Sequence, residues 1–265
     1  MGARILAICN QKGGVGKSTT VFHLARAGVR ARLRVLIVDL DPQGNITSVS
    51  TAEPVADDTV GLADVLSARA DERARDVIVP GVWPGLDVMP TSGETLGVVR
   101  DELVIAGAGR EGRLRAAIAE VEGDYDLILI DCPPSLDQLT INGLTAAQGV
   151  VVVTQSKLWS ANGLAHLLST IDAVRDYYNP ALTIAGIVVN MHEPNTVGGK
   201  HWRKELATAA AQRGLLVLDP PMPKRASIAD ATEAARGLDE WGTTDASHLE
   251  TIYAGYLVEL KGKQA

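Results

Sequence analysis

Residues 9–20 read Cys9-Asn10-Gln11-Lys12-Gly13-Gly14-Val15-Gly16-Lys17-Ser18-Thr19-Thr20. Ahead of this stretch Ile5–Ile8 is short, apolar and free of polar alternation; behind it Ser18–Arg30 carries a helical pattern. A strand that ends in a glycine-rich loop and then opens a helix with Lys-Ser is an arrangement for cradling phosphate. Glycines let backbone N–H groups converge on an anion, and the start of the helix adds the positive end of its dipole. In that geometry Lys17 reaches β- and γ-phosphates, and the Ser18 hydroxyl ligates Mg2+. The competing description is a glycine turn beside a surface lysine. The agreement of loop, flanks and order argues against it.

Working outward, apolar β-branched runs recur at Val35–Val38, Leu86–Met89, Leu127–Ile130, Val150–Val153, Ile184–Val189 and Leu215–Leu218. Such runs fit strands buried on both faces. Helical patterns separate them: Gly112–Val121, Leu136–Ala147, Gly163–Tyr178, Lys200–Arg213, Ser227–Ala235 and His248–Lys261. The alternation implies an α/β fold, a doubly wound and mostly parallel sheet of about seven or eight strands flanked by helices, as in P-loop nucleotide hydrolases. No repeat, linker or composition break divides residues 1–265, so one domain is expected. The loop begins by residue 12, which leaves no room for an N-terminal helix-turn-helix domain of roughly 50 residues.

Composition narrows the function classes. The 265 residues are 46% hydrophobic and 22% charged, ordinary for a globular chain and unlike a disordered one. No apolar run approaches the roughly 18 residues of a membrane span. The N-terminus has too short an apolar stretch for a signal peptide, and Leu6 stands where myristoylation needs Ser or Thr. Two cysteines are too few for a disulfide framework, so a cytoplasmic protein is expected. A net charge of −7 argues against nucleic-acid binding over the whole surface. Two local basic stretches remain. Arg26, Arg30, Arg32 and Arg34 read as the exposed end of the first helix. Residues 196–225 carry a net +4, leaving −11 on the rest of the chain.

Two further strand ends carry carboxylates. After the second run comes Val38-Asp39-Leu40-Asp41-Pro42-Gln43-Gly44-Asn45. Two acids two residues apart at a strand end can face one site, although Asp-Pro and Gly-Asn also favour a plain turn. After Leu127–Ile130 comes Asp131-Cys132-Pro133-Pro134-Ser135, an acid closing a buried strand in the form that holds Mg2+ through water.

With Lys12 the loop reads KGGVGKST, and it resembles the deviant Walker A motif of the ParA/MinD class of ATPases. VDLDPQGN resembles switch I of the ParA/Soj partition ATPases, and Asp131 with Pro133-Pro134-Ser135 resembles their Walker B and switch II segments. The resemblance implies ATP and Mg2+ as cofactors. ATP would contact Lys12, Gly13, Gly14, Val15, Gly16, Lys17, Ser18 and Thr19; Ser18, Asp39 and Asp131 would attend the metal. Lys12, Lys17 and Asp41 would act in catalysis. Asp41 would polarise the attacking water, and Lys12 would reach the nucleotide of the opposite subunit in an ATP-bound homodimer. Asn190 would lie against adenine, with the backbone near Met222 and Pro223 lining its pocket. The resemblance further implies slow ATP hydrolysis stimulated by a ParB-like partner, plasmid or chromosome segregation, and a nucleoid-associated location with no membrane attachment. Nonspecific double-stranded DNA would meet Lys200, Arg203, Lys204, Arg213 and Arg225, whose competing description is a solvated helix face. Trp202 reads as a packing anchor.

Three other uses of such a core stay in view. A ParA-like ATPase that positions cargo other than DNA would have the same core residues. A nitrogenase-iron-protein-like reductase would need cysteines at a dimer axis, whereas Cys9 lies inside a strand and Cys132 lacks glycine flanks. A MinD-like membrane ATPase would end in an amphipathic helix, and Leu257–Ala265 has little such character. Lys157 stands where relatives often carry an acid, and nothing in the sequence explains it.

Overall fold

The computed structural model describes residues 2–157 and 159–262, so Lys263, Gln264 and Ala265 of the C-terminal tail lie outside the described residues. In chain order the elements are β1 (Arg4–Cys9), α1 (Lys17–Arg30), β2 (Val35–Asp39), α2 (Asn45–Ser50), α3 (Leu62–Leu66), α4 (Ala74–Val77), β3 (Val79–Pro80), β4 (Leu86–Met89), α5 (Thr95–Ile105), α6 (Arg113–Ala119), β5 (Leu127–Asp131), α7 (Gln138–Ala146), β6 (Gly149–Gln155), α8 (Trp159–Tyr177), β7 (Thr183–Asn190), α9 (Val197–Gln212), α10 (Ala226–Glu233) and α11 (Thr244–Lys261). The sheet order is β3-β4-β2-β5-β1-β6-β7. All pairings are parallel except that of β3 with β4.

Alternate residues of the central strands feed two cores, which is what a doubly wound sheet requires. Ala7, Val38, Ile130 and Val152 face one side, with Leu103, Leu114, Leu139 and Ile171 from the covering helices. Ile8, Ile37, Leu129 and Val151 face the other, against Phe22 of α1 and Tyr253 and Tyr256 of α11. The apolar face of α11 is therefore covered by α1, and no helix among the described residues is long and apolar enough to cross a membrane.

Six of the seven expected strands form. Leu215–Leu218 does not: it meets the sheet through one isolated bridge, Ile187 with Val217, and a second bridge joins His192 to Pro223. The seventh strand is instead β3, two residues long and antiparallel. Its Pro80 has no N–H to donate, which suits an edge position.

Register positions the site. Ile8 and Asp39 both pair with Asp131, so β1, β5 and β2 end level with one another. The loops after these three strands therefore open side by side.

The helix that follows the first loop is fastened by His23. Its ring is buried between Phe22 and Tyr253, with centroids 5.3 and 5.0 Å away. One ring nitrogen meets the Ile228 carbonyl at 3.3 Å and the Thr232 hydroxyl at 3.1 Å, tying α1 to α10. Burial lowers the His23 pKa from 6.5 to about 4, against smaller opposing effects of the Ile228 carbonyl and Asp239. The unfolded chain thus takes up a proton near pH 6.5 that the folded chain refuses until about pH 4. This contribution to stability is complete above pH 6.5 and is lost on acidification, by up to about 3 kcal/mol. The stability advantage of wild type over His23→Gln should accordingly shrink between pH 7 and pH 4.5, read from denaturant midpoints; a constant gap would contradict it.

Candidate functional site

The first loop leaves β1 through Asn10, which ties its start to β6. Its Nδ2 donates to the Val153 carbonyl at 2.6 Å, and its Oδ1 accepts the Lys12 N–H at 2.9 Å. Gly14 and Gly16 have φ of +69° and +87°. At Gly16 any other residue would be strained by the positive φ, and its Cβ would displace the Asn190 amide. Gly16 precedes α1 with no side-chain cap, and the first turn carries no acid. Its leading N–H groups are left for an outside acceptor. Gly13 and Gly14 are exposed, Val15 and Lys17 are buried, and Ser18 and Thr19 are half-buried. Lys12 is half-exposed.

Neighbouring strand ends brace this loop through its carbonyls. Gln155 Nε2 donates to the Gly14 carbonyl at 3.2 Å, and Asn190 Nδ2 to the Val15 carbonyl at 2.8 Å. Gln155 is a site residue the sequence reading missed; its one signal was its position at the end of a buried run. The Asn190 amide nitrogen is thus engaged by the loop. Met222 has its side chain in the core, its N–H donates to the Val189 carbonyl and its carbonyl accepts from the His192 N–H. It secures the end of β7, and Pro223 beside it keeps partial exposure.

The carboxylates of the other two loops differ sharply. Asp39 is fully buried and well bonded: Oδ2 accepts the Thr47 hydroxyl at 2.6 Å and its N–H at 3.0 Å, while Oδ1 accepts the Asp41 N–H at 3.2 Å. Burial still pushes its pKa up to about 7, those bonds pulling it down and the Asp41 charge adding to the rise. Asp41 Oδ1 accepts the Gln43 N–H at 3.0 Å. Asp131 is equally buried, yet neither oxygen has a hydrogen-bond partner. Burial first, and then the Asp39 charge, hold its pKa well above the carboxylate range; the Ser18 hydroxyl and Lys17 ammonium offset this in part, Ser18 standing close without bonding geometry. A buried bare carboxylate beside a hydroxyl is a fit for a hard cation. Among the described residues no cluster of three or more acids, His or Cys forms a protein-only cage. Mg2+ takes one or two carboxylates and completes its shell with phosphate and water.

Cys9 and Cys132 are buried free thiols, and the neighbouring Cys9 thiol first, and then burial, push the Cys132 thiol up. Neither is available to a cluster at a surface.

The two basic stretches also separate. Arg26 pairs with Asp239 at 2.7 Å, Arg30 with Glu250 at 2.6 Å and Arg34 with Asp126 at 3.0 Å. On α9, Lys200, Arg203 and Lys204 are exposed and share a face by their i, i+3, i+4 spacing. Arg213 does not belong to it: it caps the helix end, roughly 220° around the axis from Lys200. Arg203 bonds Asp219 at 2.6 Å and Arg225 lies 3.6 Å from Asp245. Lys200 and Lys204 have no acid within ion-pair range among the described residues. Trp202 is half-buried against the His201 ring, with centroids 4.8 Å apart.

The AAA domain family matches residues 3–184. The chromosome partitioning protein ParA of Caulobacter vibrioides is 38% identical over 231 residues, 86% of this chain and 83% of that one. This chain belongs to the ParA/Soj family of partition ATPases. The chromosome-partitioning ATPase Soj of Thermus thermophilus is 38% identical over 251 residues, 94% of this chain and 89% of its own. A crystal structure of cobyrinic acid a,c-diamide synthase from Mycobacterium smegmatis, with an ATP analogue and magnesium bound, is 37% identical, covers 89% of this chain and 94% of its own, and superposes with a TM-score of 0.75. The cobyrinic acid of that name is a statement about that protein alone. A second crystal structure of that protein holds ADP and magnesium.

A carboxyl whose pKa is raised on folding costs stability at neutral pH, whether it stays charged or takes up a proton. Asp131→Asn should therefore raise the melting temperature in EDTA while removing the further rise produced by Mg2+ with ATP. Equal melting temperatures of the two proteins in EDTA would contradict this reading of the carboxylate.

Proposed function

We propose that this ParA-family ATPase hydrolyses ATP slowly in a Mg2+-dependent homodimer, that the ATP-bound dimer holds double-stranded DNA without regard to sequence, and that a DNA-bound ParB-like partner stimulates hydrolysis. Segregation of a plasmid or chromosome is the resulting role, performed by a single domain in a cytoplasmic, nucleoid-associated protein. The observation that carries the dimer is Lys12. Its backbone is pinned by Asn10, its side chain is half-exposed at the mouth of the loop, and it has no acid within ion-pair range among the described residues. An ammonium held in that way is suited to a phosphate presented from outside the subunit.

In this reading the N–H groups of Gly13 to Thr19 hold the phosphates, with Lys17 against the β- and γ-oxygens. The Ser18 hydroxyl and Asp131 hold Mg2+, and Asp39 stands one strand away as the partner that fixes the neighbouring loop. When bound, Mg2+ would neutralise charge on the phosphate oxygens. Asp41 orients and polarises the attacking water, and Lys12 adds positive charge from the second subunit. Catalysis is then mainly positioning and charge compensation. Asn190 keeps its carbonyl oxygen for adenine beside Pro223. Lys200, Lys204 and Arg203 contact DNA phosphates, with Arg225 and Arg213 at the margin; such contacts carry no sequence information and are salt-dependent.

Two measurements test this. Lys12→Ala should bind ATP as a monomer and fail to dimerise with a non-hydrolysable analogue in analytical ultracentrifugation; an unimpaired dimer would remove the cross-subunit role. Lys200→Ala combined with Lys204→Ala should weaken binding to unrelated DNA sequences alike, and should reduce the slope of log affinity against log salt by about 2 per protomer. An unchanged slope would move the contact surface elsewhere.

A further inference from the structure

We infer that Thr47 is a positioning residue for ATP hydrolysis, acting through the Asp39 carboxylate to hold Asp41 in place; this rests on the proposed role of Asp41. The segment from Asp41 to Thr47 is a loop closed on a single buried carboxylate. At its start the Asp41 N–H donates to Asp39 Oδ1 at 3.2 Å. At its end the Thr47 N–H and hydroxyl both donate to Asp39 Oδ2, at 3.0 and 2.6 Å. One group thus fixes both ends, and the Asp41 side chain rides on the span between them.

The Thr47 hydroxyl has a second task. It accepts the Thr91 N–H at 3.0 Å, and the Thr91 hydroxyl in turn donates to the Asp39 carbonyl at 2.7 Å. This links the loop to the chain leaving β4. Asp39, Asp41, Thr47 and Thr91 are all buried, so no water substitutes freely for a missing partner. The loop has little rigidity of its own: α2 has only six residues and no side-chain cap. Within the loop, Asp41 is held by the Gln43 N–H on its carboxylate and the Gly44 N–H on its carbonyl, bonds that move with it.

Threonine at 47 is therefore required as a simultaneous donor and acceptor. Serine retains both capacities, while valine keeps the shape and loses both. The position is separate from the phosphate loop, so a change there alters the placement of the water-polarising group more than ATP affinity.

The experiment compares wild type, Thr47→Val, Thr47→Ser and Asp41→Ala in steady-state ATP hydrolysis, with equilibrium binding of a non-hydrolysable analogue and a denaturant melt for each. Thr47→Val should lose about 10- to 100-fold in kcat, with KM and analogue affinity within about twofold of wild type. Thr47→Ser should recover most of kcat. Adding Thr47→Val to Asp41→Ala should lower kcat no further, since the hydroxyl acts through Asp41. If Thr47→Val does not fold, Thr47→Ala takes its place with the same expectation. Full hydrolysis by Asp41→Ala would overturn the proposed role of Asp41. An inactive Asp41→Ala beside a Thr47→Val whose kcat is intact, or whose loss lies in KM, would overturn the inference about Thr47 alone.

Discussion

Three parallel strands in the middle of the sheet stop at the same height, and the rest of the site follows from that register. Because Ile8 and Asp39 lie level with Asp131, a loop prepared for anions and two buried acids face one small volume. Neither feature is stable for its own sake. The uncapped start of α1 leaves donors unsatisfied, and neither carboxyl oxygen of the buried Asp131 has a hydrogen-bond partner. A phosphate chain with its cation answers both at once. Local instability of this kind is tolerated because two large apolar cores, one on each face, hold the strand ends where they are.

The supports around the site are graded in the same sense. Asn10, Gln155 and Asn190 turn side-chain amides toward the loop and its flanks, so the loop is shaped before any nucleotide arrives. Preorganisation of this sort removes part of the ordering cost of binding. Asp39 does for the second loop what these amides do for the first. Asp131, by contrast, is left bare, so of two carboxylates paired across one register step one is fully hydrogen-bonded and the other is not.

Much of this was legible in the residues. The strand pattern required only buried β-branched runs, and the phosphate loop only glycines with Lys17 and Ser18 at a helix start. Asp131 was legible because it closes such a run. What escaped was tertiary. β3 is two residues long and exists through its partner β4, whereas Leu215–Leu218 has a strand's composition and meets the sheet at one bridge. Gln155 and Thr47 are ordinary polar residues in sequence, and their importance lies in what the fold brings within 3 Å or so of them. Arg26, Arg30 and Arg34, which read as the exposed end of a helix, are paired with acids of distant segments that the local sequence does not reveal. Charge counted along a chain does not say which charges face one another.

The borders of the sheet bear on how copies of this protein can associate. On one border a two-residue antiparallel ribbon containing Pro80 covers β4; on the other, the chain around Val217 and Pro223 lies along β7. Each margin is thus partly covered among the described residues, which works against strand-to-strand stacking of subunits there. Contacts between copies that use helices and loops instead can be undone when a loop changes shape.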